Sequence, residues 1–201
     1  MKTVDSIEAL EALYARKPSG AALDKVTDRL TPAQTAWIGA SRFCVLSTVG
    51  PEGTDASPRG DDGPVVQVMD ERTLLLPDWR GNNRMDSLRN IVRDGRVSLM
   101  FLVVGAPGIL RVNGHAVLSD DPEITARFAH EDTHPRSVIV VRLTEAYPQC
   151  ARAVMRAGLW SRGDDSAGLP SVGEMVAEAR AGFDGAAYDA DWPERAKTTM
   201  W

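Results

Sequence analysis

Residues 97–119 read VSLMFLVVGAPGILRVNGHAVLS, and this stretch decides the fold. The run 97–104 is β-branched, aliphatic and aromatic, which suits a buried strand. It is far too short to cross a bilayer. GAPG at 105–108 turns the chain, and 109–119 returns as a second strand. Asn113 and Gly114 read in isolation as a hairpin turn. The halves on either side are so short that a bulge within one long bent strand is preferred.

Similar strands lie on both sides. Upstream, FCVLST (43–48) and DASPRG (55–60) flank the turn GPEG, and DDGP (61–64) makes a further turn or loop. VVQVM (65–69) and TLLLP (73–77) form a plausible hairpin, and SVIVVRLTEAY (137–147) is the last clear strand. The links are short, and one helix over 84–92 is inserted, with Asn83 as its cap, Asp86 at N3, and Met85, Leu88, Ile91 and Val92 on one face. Long parallel crossovers are missing, which disfavours a doubly wound sheet. The pattern predicts a mainly β fold with flanking helices, its six or seven strands closed into an antiparallel barrel that leaves no apolar edge exposed.

Helical spacing marks the flanks. Val4, Ile7, Leu10, Leu13 and Tyr14 recur on one face, with Asp5 and Glu8 able to form a capping box and Pro18 and Gly20 ending the element. A short helix is expected over 22–30. TPAQ at 31–34 opens another, with Ala33, Ala36, Trp37 and Ala40 on its small-plus-aromatic face. Short helices follow from Asp121 to about Ala129 and over 149–157. Ser171 and Glu174 open a final helix, with Val172, Met175, Val176 and Ala179 on one side. The segment 182–201 has isolated aromatics and no clear period. The expected organisation is one domain: helices over 1–40, a barrel over 41–147, and helices with a tail over 148–201.

The net charge of −5 argues against a nucleic-acid groove, which needs a basic surface. Cys44 and Cys150 are the only cysteines, and no CxxC or Cys/His cluster suggests a metal or disulfide framework. The start is acidic and helical, unlike a signal peptide, so a cytoplasmic location with no membrane contact is expected. His130 and His134 lie beside Glu131 and Asp132, but at spacings unlike those of metal ligands.

LLLPDWRGNNRMDSLRNI (74–91) carries the candidate chemistry. A strand ends, a loop supplies Arg80, Gly81, Asn82 and Asn83, and a helix begins at Arg84. Free N–H groups at a helix start bind phosphate, and Arg80 and Arg84 can add charge-assisted bonds. The plainer reading makes Asn83 a cap and the arginines solvated. Trp79 can stack on a flat ring or anchor the core. Arg111 lies in an apolar strand where alternation sends it either way. No GxGxxG, GK[ST] or GxSxG motif is present, Ser47 and Ser57 have no evident histidine partner, and Asp61 and Asp62 read as a turn. No catalytic residue is assigned. A binding site without a nucleophile fits a cofactor that carries its own chemistry.

These pieces, with FCVLSTVGPEG, DASPRGD, GRVSLMFLV and RVNGHAVLSDD in this order, resemble the pyridoxamine 5'-phosphate oxidase-like, FMN-binding split-barrel family. The resemblance runs from about Thr31 to Trp160, and within the family it points to a bacterial branch known only as FMN-dependent enzymes. It implies an antiparallel split β-barrel and a homodimer with FMN at the subunit interface. Arg59 and Arg84 then become phosphate or ribityl contacts, with Asn82 and Asn83 beside them and Arg80 in support. Leu76, Pro77, Asp78 and Trp79 would line the isoalloxazine edge, Arg111 would face the cofactor region, and Trp160 would reach the partner's flavin. The family's oxidases generally show an Arg–Lys pair at the helix start, whereas Arg84 is followed here by Met85. The implied activity is FMN-dependent oxidoreduction of a small molecule other than pyridoxamine phosphate. Alternatives are a non-enzymatic flavin-binding or redox-sensing protein, or a module for haem or a deazaflavin.

Overall fold

The computed structural model describes residues 1–14 and 17–201. Ala15 and Arg16, at the end of the first expected helix, lie outside the described residues. Seven strands form one sheet: β1 (Phe43–Gly50), β2 (Gly53–Gly60), β3 (Gln67–Asp70), β4 (Thr73–Asp78), β5 (Arg96–Leu102), β6 (Ile109–Ser119) and β7 (Ser137–Gln149). The order is β2-β1-β5-β6-β7-β4-β3, and every neighbouring pair is antiparallel. Alternation along β1 and β5 sends Cys44, Leu46, Leu99 and Phe101 inward, where they meet Leu74, Leu76, Val112, Ile139 and Val141 in one core.

The antiparallel pairing agrees with the sequence pattern. The expected closed ladder does not appear: among the described residues the ladder ends at β2 and β3, which do not pair. Helices cover the sheet instead. α3 (Pro32–Ala40) packs on β3, β6 and β7 and contributes Ile38 to the core. α4 (Asp86–Arg93) packs on β1, β2 and β6 and contributes Ile91.

β6 is one strand with a register shift at Asn113 and Gly114, as preferred above a hairpin. Asn113 faces Glu145 and Gly114 faces Leu143, so the extra residue is Thr144 on β7. Gly114 is required by proximity, because a Cβ there would strike the Arg142 carbonyl oxygen.

Several local expectations change. α1 (Ile7–Leu13) is capped by Ser6, whose side chain accepts from the Ala9 N–H, rather than by Asp5. α2 (Gly20–Asp24) stops short of the expected 22–30 helix, and Thr27 bridges to Ala146 on β7 instead. α3 has the predicted capping box of Thr31 and Gln34, yet it buries Gln34 and Ile38 while Ala33, Ala36 and Ala40 stay exposed. Burying an alanine removes little apolar area. Gln34 can be buried because it accepts from the Thr31 N–H at 2.9 Å and bonds Thr27 and the Ala146 carbonyl. After α5 (Pro122–Thr125) and α6 (Arg152–Ala157), α7 (Val172–Ala179) has the predicted Ser171 and Glu174 capping box. The aperiodic tail is mostly helix: α8 spans Gly185–Thr199, with Pro193 inside it.

Candidate functional site

Arg59 and the loop after β4 meet at the open side of the sheet. Pro77 is tolerated in β4 because β3 pairs only as far as Leu75, so no partner needs the missing N–H. β4 pairs with β7 through Pro77 with Val138 and Asp78 with Ser137. This register sets the loop leaving β4 beside the loop entering β7. A cavity of about 1070 Å³ lies between them, walled also by residues of β2 and by Trp201.

The cavity collects Arg59, Leu76, Pro77, Asp78, Trp79, Arg80, Asn82, Asn83 and Arg84. Arg111 and Trp160 are not among its lining residues. Arg111 sits over the Tyr147 ring at 5.2 Å on the outer side of β6, and Trp160 donates its indole N–H to the Ala106 carbonyl at 2.9 Å. Thr133, His134, Arg136 and Trp201 line the cavity, although none was singled out for it from sequence. The only available signal was the charged run THPR beside the last strand.

Helix α4 begins later than expected. The Asn82 side chain accepts from the Arg84 N–H at 3.1 Å, and the loop then turns through Asn83 (φ 58°) and Met85 (φ 61°). Met85 therefore takes the cap position expected for Asn83, and no side chain caps the helix. The first-turn N–H groups point outward without a side-chain acceptor, the arrangement that favours an anion. Left-handed backbone at a non-glycine residue costs about 1–3 kcal/mol and clusters at ligand clamps.

The charges are mutually engaged. Arg59 pairs with Asp78 at 2.7 Å, both largely buried, and its Nε is buried without a partner. Arg84 pairs with Asp86 at 2.8 Å in a more exposed position. Asp61 accepts from the Trp79 indole N–H at 3.0 Å, and Asp55 accepts from the Ser87 hydroxyl. Among the described residues, Arg80 and Arg136 make no ion pair. They are thus the arginines most available to a ligand.

Cys44 faces Arg59 across the β1–β2 ladder, yet burial pushes its thiol up to about 12 against the pull of that arginine. It is a neutral core thiol and not a nucleophile. Among the described residues, no group of three His, Cys, Asp or Glu side chains gathers to hold a metal, and no helix is long and apolar enough to cross a membrane.

An antiparallel sheet with an anion-suited pocket at a strand–loop–helix junction defines the class. The family model described as pyridoxamine 5'-phosphate oxidase matches residues 30–150, and the chain belongs to that family. Its fold resembles HupZ of Group A Streptococcus, at 13% identity with a TM-score of 0.50, covering 60% of this chain and 94% of that one. A substituted HupZ gives 14% identity and a TM-score of 0.50, covering 59% and 98%. A putative pyridoxamine 5'-phosphate oxidase from Lactobacillus delbrueckii is 21% identical with a TM-score of 0.48, covering 60% and 95%. No curated protein matches the chain.

Proposed function

We propose that the chain is an FMN-dependent oxidoreductase acting on a small molecule in the cytoplasm, as a homodimer with the cofactor at the subunit interface. Its sheet is read as the family's split barrel, with the split between β2 and β3. The observation that carries the proposal is the uncapped α4 start, opening beside Arg59's buried and unpartnered Nε in a cavity of about 1070 Å³. That volume suits a cofactor-sized ligand, since small-molecule sites occupy about 300–1000 Å³.

The residues fit the group. The α4 N–H groups, Arg80, Arg84 and Arg136 would take the phosphate, and Asn82 and Asn83 would stand beside it. Arg59, anchored by Asp78, would donate from the cavity wall, and Leu76, Pro77 and Trp79 would flank the ring. FMN, when bound, supplies the hydride and electron chemistry. The chain's own residues bind the phosphate, orient the ring and set the polarity around it. Arg111 and Trp160, which lie off this cavity, would serve on the face turned to a second copy.

The visible spectrum of the purified protein tests the reading. Oxidised-flavin bands are expected, and Arg84→Ala should weaken FMN binding about 10-fold, the loss of a charge-assisted hydrogen bond. Undiminished affinity in that variant would overturn the phosphate assignment. A Soret band in place of flavin bands would overturn the cofactor.

A further inference from the structure

The family match ends at residue 150, yet the chain beyond it returns to the pocket. Trp201, just past α8, stacks on His130 with ring centroids 4.4 Å apart and planes 15° from parallel. It also meets Trp79 edge-on at 5.3 Å and 83°. The backbone that carries His130 is held: its main-chain N–H donates to the Thr133 carbonyl at 3.0 Å, and its carbonyl accepts from the Thr133 N–H and hydroxyl. The tight turn between them places Glu131 at φ 51°.

We propose that Trp201 is a cofactor-contacting residue, which together with Trp79 forms an aromatic wall against the flavin ring. The proposal rests on the FMN reading above and adds to it a contact from outside the family's matched region. The cavity measures about 1070 Å³ with Trp201 already in place. The indole therefore walls the site and does not plug it. Trp79 is steered by its bond to Asp61 and Trp201 by its stack on His130, so both rings are oriented before a ligand arrives.

Titration of FMN and of riboflavin, which lacks the phosphate, separates this wall from the phosphate site. Trp201→Ala should weaken both by a similar factor, roughly 3- to 10-fold, as expected for loss of one aromatic pair. Trp201→Phe should retain most of the affinity, and Trp192→Ala, an exposed residue of α8, should leave it unchanged. Arg84→Ala should weaken FMN alone. Unchanged affinity for both ligands in Trp201→Ala, with Arg84→Ala still impaired, would overturn the aromatic wall and leave the FMN reading standing. Equal losses in Trp201→Ala and Trp192→Ala would also overturn it, since the effect would then come from disturbing α8. No flavin binding by the unaltered protein would overturn both.

Discussion

The helices at the two ends of the chain behave in opposite ways. α1 has a clean apolar stripe, and Ile7, Leu13 and Tyr14 are nevertheless well exposed, with no residue of the helix buried. α8 has scattered aromatics and an internal proline, and yet it is docked. Gly173 of α7 and Gly185 of α8 touch backbone to backbone, where a Cβ on either would collide with the other's main chain. Asp189 accepts from the Gly173 N–H at 2.9 Å and from the Ser171 hydroxyl. Arg195 lies over the Tyr188 and Trp192 rings. Amphipathic periodicity thus reports that a segment can be helical. It does not report whether anything receives the apolar face.

That contrast can be broken at three points. The largest effect is expected from Gly173→Val, which forces the two helices apart at a cost on the order of 3 kcal/mol. Hydrogen exchange over 185–199 should speed up strongly; unchanged protection there would mean that α8 does not depend on this contact. Asp189→Ala should cost about 1–3 kcal/mol by stranding the Gly173 N–H and the Ser171 hydroxyl, read in the same exchange experiment. Deleting residues 1–14 should shift stability by less than about 0.5 kcal/mol in thermal unfolding, because α1 buries nothing. A larger loss that grows with protein concentration would show that α1 is covered in an assembly.

The strands were legible for the same physical reason that α8 was not. In β1 and β5 a period of two is enforced by a core on one face, so Cys44, Leu46, Leu99 and Phe101 mark the buried side directly in sequence. The pocket-lining loop was legible because Arg80, Asn82, Asn83 and Arg84 lie together along the chain. Its helix start was misplaced by two residues because Asn82 spends its side chain on the Arg84 N–H, and that turns the backbone through Asn83. Arg136 and Trp201 were missed because nothing local connects them to residue 79. The register of β4 on β7 brings the first, and the packing of α7 on α8 precedes the return of the second.

The sequence by itself determined the antiparallel strands, the single unbroken strand through Asn113 and Gly114, the caps of α3 and α7, and the grouping of Arg80, Asn82, Asn83 and Arg84 in one loop. All of these follow from short-range periodicity, hydrogen-bonding side chains and glycine sterics. Only the tertiary structure decided that the ladder stays open between β2 and β3, that Arg59 is held by Asp78, and that Trp201 stands in the pocket wall. Those outcomes depend on which distant backbones come within hydrogen-bond or ring-stacking range, and chain folding alone sets those distances.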